Sequence, residues 1–433
     1  MQRQYSEKLN EEIFTVTLAS GLSLWMMPKK EAKQTVAQLS VASGVMHKLG
    51  GQYGVGVAHM VEHLLFEKPE GDIAQRFAEM GGDVNASTGL ESTEYVLTCG
   101  EEVERHIGLL FELVFDGRWT EYSLEGERAI IASEISLYWD DPDWVGYYSS
   151  LSCAYGNHPV AWEIAGDYSL LETIDMGLLK SWHKTFYRPS NATLFVSGDF
   201  EARSLLEACE TALIECVSSS SYFGGIDLGY LSEWPPCHQA QMGSVRLELP
   251  IRNAQVFITF PDLLTAMQKR DVRRELAFEL SLDIALGPTS DAYVALYEEG
   301  LVAGDSFAAD VFMESTCGYL IITAETSDPE TLTCETIRAL SNSLAGVESG
   351  EDFERAKKKM YGQLVRSFET PEACVSIMDA ARQLGAPSPF DYVEALQTLT
   401  QVEVLERWKE GLGHLCGGVA HIFPLGSHNG EQQ

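Results

Sequence analysis

Apolar residues along this chain recur first at every second position and then at every third or fourth, so strands precede helices. The segments EIFTVTLAS and LSLWMMP read as strands meeting at SGL, where Gly21 can supply turn geometry, and they predict a hairpin. TVAQLSVASG follows as a third strand. A glycine-rich stretch, GGQYGVG, then leads into a helix, GVAHMVEHLLFE, whose apolar run is interrupted by His59, Glu62 and His63. A second helix, DIAQRFAEMGG, stops at a double glycine suited to a C-terminal cap. DVNASTGLESTEYVLTCG reads as strand, turn and strand. EEVERHIGLLFELVF and SLEGERAIIASEISLYW carry helical spacing, and DDPD closes or breaks the second.

The same order returns further on. GSVRLELP and NAQVFITFPDLL are strands, KRDVRRELAFELSLDIAL and TSDAYVALYEEG helices, and CGYLIITAET a strand. DPETLTCETIRALSNSLAGV and GEDFERAKKKMYGQLVRSF are again helices. Setting Glu127-Arg128-Ala129 over Glu354-Arg355-Ala356 brings the acidic, proline-containing DDPD and ETPE into correspondence. The expected fold is therefore α+β, with two homologous repeats, each a mostly antiparallel sheet covered by helices. The first repeat is placed at residues 1–215 and the second at 246–433. A linker at 216–245, containing SSSSYFGG and EWPPC, joins them. In this register Glu134 falls on Tyr361, and RRELAFELSLDIAL, the counterpart of the His59 helix, holds no histidine. The polar residues of the first helix are not required by the architecture.

The 433 residues exceed one ordinary core, in keeping with more than one folding unit. A formal net charge of -34 argues against a nucleic-acid ligand, which wants a basic face, and suits solubility and basic peptides. No apolar run nears the roughly 20 residues that span a bilayer, so no membrane association is expected. The N-terminus, MQRQYSEKLNEEIF, is polar and mixed in charge, unlike a signal peptide, which points to the cytoplasm. Nine cysteines, loosely spaced and without a C-x-x-C pair, read as scattered thiols of a reducing compartment.

On a helix, His59 and His63 lie on one face, one above the other, so two imidazoles can share one metal ion. Glu62 flanks that face and can reach a water there without being a ligand. The order is H-x-x-E-H, the reverse of H-E-x-x-H. Zinc in such a site requires a third protein ligand and an open position. Glu134 is the candidate, on a helix face reading Ile130, Ile131, Glu134 and Leu137 and expected to point inward. Glu127, two turns earlier, could orient a ligand histidine. GGQYGVG lacks the lysine of a phosphate loop, and there is no G-x-S-x-G elbow. His106, His158 and His183 are isolated and read as structural or exposed.

The segments GVAHMVEHLLFE, GGDVNASTGLESTEY, GERAIIASEISLYWDDPDW, NHPVAWEIAGDYSLL and FYRPSNATLFVSGD resemble the pitrilysin and insulinase-type zinc peptidases with the inverted motif. That family includes the mitochondrial processing peptidase. DDPDW, AYVALYEEGLV and FERAKKKMYGQLVRSF resemble its short bacterial cytosolic YmfH-like subgroup, associated with elongation factor P modification. The resemblance implies one zinc ion per chain, held by His59, His63 and Glu134, with Glu62 as general base. It implies that a peptide binds as an added strand, at a segment matched here by Asn85 and Ala86. It implies two such chains closing around a chamber. Many relatives carry an Arg and a Tyr around a K-R-G-L-A-Y segment that help bind substrate, whereas EEGLVAGDSF here has Glu298, Glu299 and Gly300. The expected partner is therefore a non-catalytic paralogue that supplies the Arg/Tyr pair in a heterodimer, a homodimer being the other arrangement. On this reading the chain is a zinc endopeptidase for short or unfolded peptides, with a catalytic first repeat and a non-catalytic second. The rival readings are a non-catalytic peptide-binding or assembly subunit and an accessory factor in elongation factor P modification.

Overall fold

Two β-sheets of matching topology organise the chain. The structure, a computed structural model, describes residues 1–217, 242–262, 271–303, 305–314, 317–342, 349–412 and 416–426. The first sheet is built from β1 (Gln2–Ser6), β2 (Glu11–Thr17), β3 (Ser23–Pro28), β4 (Thr35–Val41), β9 (Gly82–Thr88), β10 (Thr93–Cys99) and β11 (Ala192–Gly198). Two minor hairpins, β5–β6 (Lys48–Leu49 and Gln52–Tyr53) and β7–β8 (Glu67–Lys68 and Gly71–Asp72), lie outside it. The second sheet comprises β12 (Gly243–Leu249), β13 (Ala254–Pro261), β14 (Ala308–Met313), β15 (Gly318–Thr326) and β16 (Gly418–Pro424).

The first sheet runs β1-β2-β3-β11-β4-β10-β9 and the second β12-β16-β13-β15-β14. Without β1 and β2 the two orders superimpose strand for strand. In each, the first pair of the shared order is parallel and the rest are antiparallel. This is the repeated α+β unit expected from the sequence. The hairpin of β2 and β3 forms as expected, and Gly21 takes the positive φ of +90° that its turn requires. Of the linker expected at 216–245, residues 218–241 lie outside the described residues, as do 263–270 at the end of the second strand of that repeat.

The helices that matter for the site are α1 (Val57–Phe66), α2 (Ile73–Glu79), α3 (Val103–Phe115), α4 (Glu121–Asp140) and α5 (Pro142–Tyr155). Val57, Val61 and Leu64 of α1 join Leu110 and Val114 of α3 and Leu24, Leu39 and Leu97 of the sheet in one fully buried cluster. The DDPD stretch both ends α4 and starts α5. The Asp141 side chain accepts from the Asp143 amide, and Pro142 occupies the first turn, where its missing N–H is harmless. The second repeat repeats the device: helix Gly350–Arg366 is followed by helix Pro371–Gln383, capped by Thr370.

Each of these second helices crosses to the other sheet. α5 packs over β12, β13 and β16. There the Ser150 hydroxyl meets that of Thr259 at 2.8 Å, and the Tyr155 hydroxyl donates to the Gly318 carbonyl at 2.5 Å. In return, helix Pro371–Gln383 packs over β4 and β11, where the Gln38 amide donates to Asp379 at 2.9 Å. Cys374, Val375 and Met378 share a buried apolar cluster with Trp25, Met27 and Phe195 of the first sheet.

The inward face of α4 differs from the expected one. Ile130 and Leu137 are 48% and 66% exposed. The buried face instead carries Leu124, Glu127, Ile131 and Ile135, with Glu134 and Tyr138 half-buried beside them. A helical face advances by three or four residues, so once Ile131 is inward its neighbour Ile130 is turned roughly 100° away. No helix among the described residues is long and apolar enough to cross a membrane.

Gly146 tests the exchange directly. A Cβ at this position would lie 2.2 Å from the Phe257 ring of β13. Gly146→Val should destabilise the chain by about 1–3 kcal/mol, read as a lower midpoint of thermal or denaturant unfolding. Gly126→Ala, on α4 where an added Cβ meets open space, should leave the midpoint unchanged or raise it.

Candidate metal centre

Because α1 lies deep between the sheet and its neighbouring helices, its two imidazoles are presented in an apolar setting. The Nε2 atoms of His59 and His63 are 3.3 Å apart. Glu134 reaches them from α4, its Oε2 lying 3.8 Å from the first and 3.5 Å from the second. Ligand atoms about 2.0–2.1 Å from a shared tetrahedral centre would be separated by about 3.3–3.5 Å. This Glu134 oxygen is buried and has no hydrogen-bond partner among the described residues. A buried carboxylate oxygen left unpaired costs more than about 1–3 kcal/mol, a penalty that a cation between the three groups would remove. The donor set of two nitrogens and one oxygen suits zinc. Among the described residues, His59, His63 and Glu134 are the group brought close enough to hold a metal ion.

The residues around the triad set its protonation. Glu127, buried one face-turn before Ile131 on α4, meets His63 Nδ1 at 2.9 Å. With Nδ1–H donated there, the Nε2 lone pair points into the triad. Burial pulls the His63 imidazole down, but the bond to Glu127 and the charges of Glu134 and Glu62 outweigh it, leaving the pKa above its ordinary value. His59 has no such support. Burial, and then repulsion from His63, lower it to about 3, so it is a neutral donor. Glu62 is buried beside the triad but is not part of it. Burial raises its pKa, the Thr88 hydrogen bond and His63 oppose the rise, and Glu134 adds to it. The Thr88 hydroxyl donates to Glu62 Oε2 at 2.6 Å.

β9, the last strand of its sheet, runs beside α1. Ala86 and Thr88 are on the same, more buried face of this strand, and Asn85 is exposed on the other. The Asn85 side-chain oxygen accepts from the Ala86 amide at 2.9 Å. Thr88 was not singled out from the sequence, although strict alternation along VNAST places it on the face of Ala86. His106 and His183 serve structural bonds, to the carbonyls of Glu102 and Val114, both at 3.0 Å.

The profile of the insulinase family (Peptidase family M16) matches residues 26–167, a span containing His59, Glu62, His63, Thr88, Glu127 and Glu134. The profile of the Peptidase M16 inactive domain matches residues 173–360. A Bacillus subtilis protein described as an uncharacterized zinc protease, YmfH, is 28% identical over 414 residues, covering 92% of this chain and 93% of its own. The zinc protease PqqE of Helicobacter pylori is 28% identical over 203 residues, 45% of each chain. An M16-like peptidase from Alicyclobacillus acidocaldarius, solved by crystallography, superposes with a TM-score of 0.85 at 28% identity, over 96% of this chain and 98% of its own.

The His63–Glu127 pair can be probed by metal affinity. Glu127→Ala should weaken zinc binding about 10–100-fold in a chelator competition. His63 must be neutral to donate Nε2. A raised pKa therefore means that affinity falls as pH drops through that value, by up to about tenfold per pH unit for one competing proton. In Glu127→Ala the fall should begin at lower pH, because the main partner that raises His63 is gone. Equal pH profiles for the two proteins would contradict this assignment.

Proposed function

The chain belongs to the insulinase family of peptidases, M16, and on that footing we propose that it is a zinc-dependent endopeptidase acting on short or unfolded peptides in the cytoplasm. The observation that carries the reading is the meeting of His59, His63 and a Glu134 oxygen that has no hydrogen-bond partner among the described residues, beside a buried carboxylate outside the triad, Glu62. The three residues would hold one zinc ion. When bound, zinc supplies Lewis acidity, polarising a scissile carbonyl and lowering the pKa of water. Glu62 takes a proton from the attacking water and passes it to the leaving amine. Thr88 occupies Oε2 of Glu62, which leaves Oε1 to carry that proton. The raised pKa of Glu62 favours its holding the proton between the two transfers. Glu127 keeps His63 in the tautomer that serves the triad.

β9 ends its sheet, so an extended peptide can add along its outer edge at Asn85 and Ala86. A second subunit would close the chamber. Two features favour a non-catalytic paralogue in that place. EEGLVAGDSF, with Glu298, Glu299 and Gly300, lacks the Arg and the Tyr of the K-R-G-L-A-Y segment it resembles. Tyr122, Ile130 and Leu137 expose an apolar stripe along α4 that water does not favour.

Glu62→Gln should cut cleavage of an unstructured peptide by at least about a hundredfold while one zinc per chain is retained. His59→Ala should lose metal and activity together. Substantial turnover by Glu62→Gln would overturn the mechanism. Adding a purified paralogue that lacks H-x-x-E-H should raise activity at least about tenfold. Full activity from this chain alone, indifferent to any paralogue, would reject the heterodimer.

A further inference from the structure

The face of the first sheet turned away from α1 brings two carboxyls together where the second repeat fastens onto it. Leu39 of β4 and Tyr95 and Leu97 of β10 point into the core that α1 shares. Their neighbours Gln38 and Glu94 therefore point the other way, toward helix Pro371–Gln383. Gln38 meets that helix, its amide donating to Asp379 Oδ2 at 2.9 Å. In the strand register Val96 stands opposite Gln38 and Glu94 opposite Ser40, so Glu94 and Gln38 are diagonal neighbours on one face. Such neighbours lie about 7–8 Å apart or less, within reach of long side chains. The Glu94 carboxyl thereby reaches Asp379, and the two hydrogen-bond to each other.

Their remaining partners are neutral. The Ser92 hydroxyl donates to Glu94 Oε1 at 3.3 Å, and the Gln383 amide donates to Asp379 Oδ2 at 3.3 Å. With Oδ2 taken by two amides, Oδ1 is left for Glu94. Two carboxylates in contact repel unless a proton lies between them. Asp379, Gln383, Ser40 and Ser92 line one crevice of about 900 Å³ between the helix and the sheet. Arg382 lines it too, but it pairs with neither carboxyl among the described residues. The other titratable groups on its wall are Glu91, Glu314, the Met1 terminus and His47, which burial lowers to about 4 and so leaves neutral. At the start of the helix Lys29 is already held by Glu11 and the Phe368 carbonyl. Burial and then the charge of Glu94 push the Asp379 carboxyl up to about 7, against the Gln38 and Gln383 bonds. Burial raises Glu94 as well, but its bonds to Ser92 and Asp379 oppose the rise. The proton accordingly sits on Asp379 and is donated to Glu94.

We propose that Glu94 and Asp379 form a proton-controlled clasp between the repeats, closed while the two carboxyls share one proton and loosened when both ionise. Helix Pro371–Gln383 is the one that the second repeat lends to the first sheet, so the clasp acts on the junction itself. In the loosened state both carboxyls meet water and ionise near their ordinary values, about 4. The clasped state binds one more proton from there up to about 7. Its stability is therefore greatest in mild acid, falls as pH rises to about 7 and is level above.

The test follows amide hydrogen exchange over residues 371–383 of the full chain from about pH 5 to pH 8.5, corrected for the intrinsic exchange rate at each pH. Wild-type protection should fall by up to about tenfold per pH unit on the way to about pH 7, for loss of one proton, and then level off. In Asp379→Asn the decline should vanish. In Glu94→Gln burial still holds Asp379 up but no charge faces it, so the decline should end at lower pH. An infrared difference spectrum, wild type minus Asp379→Asn, should show a protonated carboxyl at about pH 6 that is gone at about pH 8. The subtraction removes Glu163 and Glu279, which burial also pushes up to about 7. Wild-type protection that stays constant up to about pH 7, or a decline unaltered in Asp379→Asn, overturns the clasp. A difference spectrum without the carboxyl band does so too, however stable the variant.

Discussion

The reciprocal exchange of helices between the two sheets is the constraint on which the rest of the molecule depends. His59 and His63 ride on α1, within the first repeat. Glu134 and Glu127 ride on α4, which is tied through Asp141–Pro142 to α5, and α5 is fastened to the second sheet by Ser150 and Tyr155. The candidate metal centre is thus assembled from one element held by the first sheet and one anchored at its far end in the second. Side chains must be held to within a fraction of an ångström for such a centre to work. Here that tolerance rests on the packing between repeats, including the close approach of Gly146 to Phe257.

The same arrangement explains the crowding of charge. Three carboxylates, those of Glu62, Glu127 and Glu134, surround two imidazoles in a region of low water access. Each has a separate task because its neighbours differ. Glu127 is bonded to a histidine, Glu62 to a threonine, and Oε2 of Glu134 accepts no hydrogen bond among the described residues. Burial makes Glu62 reluctant to ionise, and the Thr88 hydroxyl opposes that effect.

Much of this was legible in the sequence, for identifiable reasons. The H-x-x-E-H residues share one helix, so spacing alone places them on a face. The repeat was visible because strand and helix periodicities recur in the same order. β1 was not visible, since QRQYS carries no apolar alternation and pairs only at the sheet edge. β14 and β16 were also missed, the first being a short and only half-buried run. Glu134 was found, but its helix face was drawn through Ile130 and Leu137, because two adjacent isoleucines leave the phase of a helix ambiguous. Thr88 depends on a partner distant in sequence, Glu62, which no local pattern encodes. The exchange was invisible for a deeper reason. Patterning shows that a helix has a buried face, not which sheet will cover that face.

The exchanged helices have a consequence for how the molecule comes apart. Neither repeat is a closed body: each sheet, taken with only the helices of its own sequence, leaves an apolar face bare. A backbone cut between the repeats would therefore not free two folded fragments, because α5 and helix Pro371–Gln383 would still clasp the opposite sheets. Two separately made halves would be expected to seek each other out, or to pair with second copies of themselves and trade the same helices. Joining them in one polypeptide turns that dilution-sensitive association into an intramolecular one. Covalent continuity here raises the local concentration of two parts that cannot stand alone.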